Sequence, residues 1–280
     1  MSDEHTEAAA HGRRAARTPA HTVEGRDPEL FVDVREPDHD AGLRPVLMLH
    51  GFASNSALNW VDSGWVGALL GAGRRVILVD LPGHGRSGAP DDLDSYTPSH
   101  IRADLLQLAT DAGARPYSAD DGGSGLDVVG YSLGSRLAWE FGATQPELVH
   151  RMVLGGPGAS DPLAAFDLVA AQQYLADGTP IGDPSTAALL RMAQALPANN
   201  LFALLELVRA VKTEPFVPAE AVPHMPVLLV AGEQDDRAAT MGQLAALAKD
   251  ARQEVIPGRN HINAVTSRAF KTAALEFLAG

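Results

Sequence analysis

The chain has 280 residues, 45% of them hydrophobic and 20% charged, which is typical of a globular protein and excludes a largely disordered one. It contains no cysteine, and this excludes disulfides, thiolate metal sites, iron–sulfur clusters and a cysteine nucleophile. A formal net charge of −13 predicts that neither nucleic acid nor an acidic membrane surface is a partner.

Residues 1–28 form a polar, alanine-rich segment that we expect to be a disordered tail. Arg13 and Arg14 make a twin-arginine pair, but Ala-Ala-Arg-Thr-Pro follows where an export signal requires a hydrophobic stretch. No run in the chain approaches the ~20 apolar residues of a membrane-spanning helix. We therefore expect a cytoplasmic protein.

After the tail, short apolar segments alternate with longer segments of helical pattern. Several short segments are continuous in Val, Ile and Leu, which is typical of strands covered on both faces. The predicted strands are Leu30–Val34, Pro45–His50, Arg75–Asp80, Leu126–Ser132, Arg151–Gly155, Val227–Gly232 and Glu254–Ile256. The predicted helices between them are Ala57–Leu70, Pro98–Ala112, Leu133–Thr144, Met241–Ala248 and Ile262–Leu278. This alternation predicts an α/β fold, with a mostly parallel, doubly wound sheet and helices on both faces.

One long interval, residues 157–225, interrupts the alternation. It contains two predicted helical stretches, Pro162–Leu175 and Ser185–Val211, separated and followed by turn-rich segments. A long excursion between strands of a compact domain usually forms a lid or cap. We therefore predict a core domain of residues 29–156 and 226–280, and a helical cap over it whose apolar faces either line a pocket or only pack.

The segment Gly130-Tyr131-Ser132-Leu133-Gly134 places a serine between a predicted strand and a predicted helix. So tight a reversal forces strained backbone at its apex, and the flanking positions need glycine because a Cβ would clash there. The apex side chain is then exposed at a helix N-terminus, whose dipole favours a nearby negative charge. This context predicts that Ser132 is a nucleophile.

Two loops upstream of this serine also follow predicted strands directly. One is His50-Gly51-Phe52, and the other is the segment Asp-Leu-Pro-Gly-His-Gly-Arg-Ser at residues 80–87. Together with the serine turn, they resemble the oxyanion loop and the D-x-P-G-x-G-x-S loop of the α/β-hydrolase fold superfamily. The resemblance extends from about Phe31 to the C-terminus, and it implies a serine hydrolase whose triad runs Ser, Asp or Glu, His along the chain.

The resemblance implies the position of the triad acid. Asp235 follows the strand Val227–Gly232, at the place where the family has its carboxylate. Asp236 is adjacent to it and leaves the register open, and Asp161 is a more distant alternative.

The resemblance likewise implies the base and the oxyanion donors. His261 lies in the loop after the last predicted strand, whereas His50 and His84 precede the serine in loops with other roles in the family. By the family's geometry, the backbone N–H groups of Phe52 and Leu133 would bind the oxyanion. The residues expected around the substrate pocket are His50, Gly51, Tyr131 and Trp60.

We predict no metal site and no cofactor, because neither metal-ligand spacing nor a dinucleotide fingerprint is present. The expected activity is cleavage of a small, largely apolar ester substrate through an acyl-enzyme on Ser132. A carbon–carbon bond hydrolase, thioesterase, lactonase or cofactor-free haloperoxidase could use the same triad. The family's epoxide hydrolases and dehalogenases have aspartate in place of this serine. A non-catalytic ligand receptor is the alternative of another class, and the sequence does not determine whether the chain is a homo-oligomer.

Overall fold

The computed structural model describes residues 21–22 and 28–280, and its centre is a sheet of eight strands in these residues. The strand order across the sheet is β1-β2-β4-β3-β5-β6-β7-β8. The β1–β2 and β2–β4 pairs are antiparallel and the other five pairs are parallel, so β2 alone runs against the other described strands. The strands are β1 His21–Thr22, β2 Phe31–Arg35, β3 Val46–Leu49, β4 Val76–Val79, β5 Leu126–Tyr131, β6 Val149–Gly155, β7 Val227–Gly232 and β8 Ala251–Ile256.

Eight α-helices in the described residues connect and cover these strands. They are α1 Trp65–Gly71, α2 Pro98–Asp111, α3 Leu133–Thr144, α4 Leu168–Asp177, α5 Pro184–Ala195, α6 Leu201–Thr213, α7 Ala238–Leu247 and α8 Arg268–Ala279. The predicted α/β fold with a mostly parallel sheet is confirmed. None of these helices has the length and apolar character that crossing a bilayer demands.

Strands β2 to β7 are largely buried on both faces, as their apolar residues predict, whereas the edge strand β8 is mostly exposed. Successive side chains of a strand point to opposite faces, so β3 contributes to two separate cores. Leu47 and Leu49 pack into the larger core, under α2, α3 and α6, whereas Val46 and Met48 pack into the smaller one, against α1 and α8.

Two predicted helices begin later than their apolar pattern suggests. Within the predicted helix Ala57–Leu70, a separate helical turn covers Ala57–Val61, and Gly64 has a left-handed conformation (φ 81°) just before α1. In Ile262–Leu278, a helical turn at Ala264–Thr266 precedes α8. Both starts are interrupted by backbone that leaves the helical region, which an apolar pattern alone does not reveal.

The interval between β6 and β7 is helical, but both predicted helical stretches are divided. Pro162–Leu175 consists of a helical turn at Pro162–Ala165 and then α4. Instead of one helix over Ser185–Val211, the chain forms α5 and α6, with Leu196 extended between them. Pro197 explains the break, because proline lacks an N–H and disfavours helical backbone at the preceding residue. The side chain of Asn200 then caps α6 by accepting a hydrogen bond from the Ala203 N–H.

The segment expected to be a disordered tail falls largely outside the described residues. Residues 1–20 and 23–27 are not described, whereas β1 pairs with Phe31 and Val32 of β2.

Candidate active site

Three polar residues from distant parts of the chain meet at the carboxyl edge of the sheet. Ser132 directly follows β5, Asp235 follows β7 and His261 follows β8. His261 Nε2 lies 3.0 Å from Ser132 Oγ, and its Nδ1 lies 2.7 Å from Asp235 Oδ2. Parallel strands end at the same edge of a sheet, and this is why residues 129 positions apart along the chain come into contact.

The turn that carries Ser132 has strained backbone. The serine has φ 56° and ψ −114°, a conformation that residues with a side chain seldom adopt. The glycines on both sides permit the turn: a Cβ at Gly130 would strike the carbonyl of Gly134, and a Cβ at Gly134 would strike the carbonyl of Leu49. The turn therefore holds the serine hydroxyl out from the sheet edge.

We expect Gly134→Ala to lower the free energy of unfolding by about 3 kcal/mol or more, because the added methyl group meets rigid backbone on β3. Gly67→Ala is the matched control: Gly67 is exposed within α1 and its added Cβ would meet no atom within 4 Å. That variant should gain roughly 0.5–1 kcal/mol. Urea unfolding measures both, and equal stability of the two variants would contradict the packing argument.

Asp235 is the only one of the three predicted acids that contacts His261. Its other carboxylate oxygen accepts a hydrogen bond from the Arg237 backbone N–H at 3.1 Å. Burial acts to raise the pKa of Asp235, but the hydrogen bond from His261 and the backbone bond outweigh it, so the pKa lies below its ordinary value. Asp236 is exposed, and Asp161 pairs with Arg136 at 2.5 Å.

The two backbone amides predicted to bind an oxyanion lie beside Ser132. Leu133 is the first residue of α3, where helix N–H groups have no acceptor in the helix. The loop that carries Phe52 is packed against the serine, since a Cβ at Gly51 would lie 3.2 Å from Ser132 Cβ. Neither amide donates to another group within the described chain, and both residues line the same cavity.

His50 and His84 are buried and support this loop. His50 Nε2 accepts the Leu81 N–H at 2.9 Å, and His84 Nε2 accepts the Ala53 N–H at 3.1 Å. Each therefore carries its proton on Nδ1, which faces a backbone carbonyl oxygen. Burial lowers the pKa of both rings, that of His84 to about 3. These neutral imidazoles fix the backbone around Phe52.

This burial predicts that acid destabilises the protein through His84. The folded state keeps the ring neutral down to about pH 3, whereas the unfolded chain protonates it near pH 6.5. Between these pH values the unfolded state binds more protons, so the free energy of unfolding decreases as the pH is lowered. At about 1.4 kcal/mol per pH unit, the stability advantage of wild type over His84→Gln should shrink by about 2 kcal/mol between pH 7.5 and 5. Urea unfolding at both pH values tests this, and an unchanged difference would contradict it.

A cavity of about 230 Å³ opens beside Ser132 and His261. Its wall is mostly apolar and includes Ala188, Leu189 and Met192 of α5. The lining residues are Phe52, Ser132, Leu133, Ser135, Arg136, Trp139, Leu154, Pro157, Gly158, Ser160, Asp161, Pro162, Leu163, Ala188, Leu189, Met192, Phe216, Arg237, Leu244, His261 and Ile262. The described residues hold no cluster of three or more His, Asp or Glu side chains suited to a metal.

The four residues expected around the substrate do not line this cavity. Trp60 is fully buried on the other face of the sheet, edge-on to Trp65. Tyr131 donates its hydroxyl hydrogen bond to the backbone oxygen of His261 at 2.5 Å and so supports the base from behind. His50 and Gly51 form the loop beneath Phe52. A place in a loop near the expected site, or beside the serine in the chain, did not reveal which face of the sheet each residue would occupy.

Sequence analysis missed Arg237. Its Nη1 donates hydrogen bonds to Ser132 Oγ at 3.0 Å and to the Gly156 oxygen at 3.3 Å. Nothing in the local pattern distinguishes it from an exposed loop arginine. The signal that could have found it is its place two residues after Asp235, at the sheet edge where the serine also lies.

The chain is similar to known proteins in sequence and in fold. Residues 46–275 match the sequence model of the "Alpha/beta hydrolase family". A 2-hydroxy-6-oxononadienedioate/2-hydroxy-6-oxononatrienedioate hydrolase of Pseudomonas putida is 31% identical over 140 residues, which are 49% of this chain and 45% of that enzyme. The chain thus spans less than half the length of this curated relative.

Solved structures resemble the whole fold. A hydrolase from Pseudomonas aeruginosa superposes with a TM-score of 0.69 at 21% identity, covering 94% of this chain and 99% of that one. An esterase from Exiguobacterium antarcticum gives a TM-score of 0.68 at 16% identity, covering 93% and 98%. At these identities the likeness concerns the fold.

Proposed function

The chain belongs to the alpha/beta hydrolase family, and on that premise we propose that it is a serine hydrolase that cleaves a small ester through an acyl-enzyme on Ser132. The observation that carries the proposal is the hydrogen-bonded chain from Asp235 through His261 to Ser132, which opens on a cavity. Family membership supports hydrolysis, and the proposal adds the nucleophile and the bond that it cleaves.

The first half of the reaction forms the acyl-enzyme. Asp235 accepts the Nδ1–H of His261, which leaves Nε2 free to take the hydroxyl proton of Ser132. The serine oxygen attacks the ester carbonyl carbon, and the carbonyl oxygen becomes an oxyanion. When this tetrahedral adduct collapses, the bond to the alcohol oxygen breaks and His261 gives its proton to that oxygen.

The second half regenerates the serine. A water molecule loses a proton to His261 Nε2 and attacks the acyl carbon, and collapse of the second adduct breaks the bond to Ser132. The serine recovers its proton from His261, and the carboxylic acid leaves. Phe52 N–H and Leu133 N–H are the donors we assign to the oxyanion in both adducts, since each is close to the serine and without another acceptor in the described chain.

The helices between β6 and β7 act in this proposal as a cap over the substrate. Residues of α5 line the cavity beside the serine. The volume of about 230 Å³ is below the roughly 300–1,000 Å³ of pockets for drug-sized ligands, so the expected substrate is small.

Carbon–carbon bond hydrolysis is the second candidate, and the match to the Pseudomonas putida hydrolase favours it. Both activities would use the same three residues. The experiment that separates them measures hydrolysis of p-nitrophenyl esters from acetyl to dodecanoyl, alongside covalent labelling of Ser132 by a fluorophosphonate. We expect turnover that is fastest with short acyl chains. Labelling without turnover of any ester would favour the carbon–carbon activity. The absence of both labelling and turnover would support the receptor alternative.

A further inference from the structure

The lining of the cavity has a net formal charge opposite in sign to that of the whole chain. Apart from His261, the lining residues with ionisable side chains are Arg136, Asp161 and Arg237. The wall therefore carries two guanidinium groups and one carboxylate, although the chain has a formal net charge of −13. Because Arg136 and Asp161 pair with each other, Arg237 leaves these lining residues with an excess positive charge, and such a charge attracts a negatively charged ligand.

The two arginines have different surroundings. Arg136 is buried and pairs with Asp161 at 2.5 Å, and it also donates to the backbone oxygen of Glu214. Arg237 is partly buried and forms no ion pair with a carboxylate of the described residues. Within the described residues it donates hydrogen bonds to two uncharged oxygens, those of Ser132 and Gly156.

Burial lowers the pKa of Arg237 from its ordinary value, although the nearby charges of Asp235 and Asp161 act to raise it. Because its guanidinium is planar, it presents several donors in a geometry that matches a carboxylate. Arg237 thus lies in a mostly apolar cavity without a direct ion pair to any described carboxylate, and its Nη1 is directed at the oxygen that would attack the substrate.

We propose that Arg237 binds a carboxylate of the substrate, so that this protein acts on acyl compounds that carry a negative charge close to the reacting carbonyl. The inference rests on the proposed function and specifies its substrate class. Arg237 Nη1 lies 3.0 Å from Ser132 Oγ. Since a charged N–H···O bond is about 2.8 Å long, the bound carboxylate oxygen would lie within about 6 Å of the serine oxygen. Monoesters of short dicarboxylic acids meet this limit.

Competition for Ser132 tests the proposal without depending on turnover. Labelling of Ser132 by the fluorophosphonate is measured at increasing concentrations of one of two amides. Succinamate carries a carboxylate, whereas pentanamide has a similar length and no charge. We expect succinamate to protect the serine at about 10- to 100-fold lower concentration than pentanamide. In Arg237→Met this preference should disappear, and Arg237→Lys should retain part of it because the charge remains.

Arg209→Met is the matched control, since Arg209 is an exposed arginine of α6 that pairs with Glu206 away from the cavity. It should keep the wild-type preference. Equal protection by both amides in the wild type, or a preference that survives in Arg237→Met, would overturn the inference. Failure of the fluorophosphonate to label wild-type Ser132 would instead overturn the proposed function, so the two failures are distinguishable.

Hydrolysis provides a second readout. Monomethyl succinate should have a higher kcat/KM than methyl pentanoate, and Arg237→Met should reduce the ratio of the two values by about 10- to 100-fold. Equal losses for the two esters would mean that Arg237 acts on Ser132 and not on a substrate carboxylate.

Discussion

Replacing Ser132 with alanine is expected to lower kcat for p-nitrophenyl ester hydrolysis by about 10⁶-fold. The reason is that His261 Nε2 loses the hydroxyl that it faces at 3.0 Å, and no acyl-enzyme can form. Release of p-nitrophenolate measures the rate, and a fluorophosphonate should label the wild type but not the variant.

Ser185→Ala provides the control for this loss. Ser185 is exposed near the start of α5, and we have given it no part in the site. It should keep wild-type activity. If Ser132→Ala retained more than about 1% of kcat, its activity would be far above the residual activity expected without the nucleophile. Another group would then have to attack the ester. Near-identical circular dichroism of the two variants would show that the loss is not one of folding.

Asp235→Asn is expected to lower kcat by about 10⁴-fold with little change in fold. An asparagine directs either an oxygen or an NH₂ group at His261 Nδ1, and the NH₂ group favours the tautomer whose proton lies on Nε2. That imidazole cannot accept the proton of Ser132, from which it lies 3.0 Å away. The variant also removes the negative charge that stabilises the imidazolium formed during attack.

Asp236→Asn is the matched control, because it makes the same chemical change one residue further along. Asp236 is exposed, and its contact in the described chain is a backbone oxygen that accepts the Ala239 N–H. Its kcat should remain within about threefold of wild type, the effect of an exposed charge being small. A larger loss in Asp236→Asn than in Asp235→Asn would transfer the acid's role to the neighbouring residue.

The sequence was most informative where backbone chemistry restricts the choice of residue. The glycines around Ser132 have no room for a side chain, and the buried strands need apolar residues on both faces, so both features leave a pattern in the chain. The positions of Asp235 and His261 came from the resemblance to a family, because no local pattern brings residues of different loops together.

Other features depend on three-dimensional packing and left no such pattern. Trp60 was expected near the substrate but packs with Trp65 on the opposite face of the sheet. Arg237 went unnoticed because its contact with Ser132 requires the ends of β5 and β7, which lie on either side of β6, to meet at the same edge of the sheet. The break between α5 and α6 was the exception, since Pro197 was visible in the sequence as a helix terminator.

The assembly of the site from the ends of β5, β7 and β8 links reactivity to the integrity of the whole sheet. β8 is an edge strand and pairs only with β7 in the described chain, yet the loop after it carries His261. Detachment of this edge would separate the imidazole from Ser132 even if the other strands remained paired. The fraction of molecules whose Ser132 reacts with a fluorophosphonate would therefore equal the fraction in which β8 is paired with the rest of the sheet.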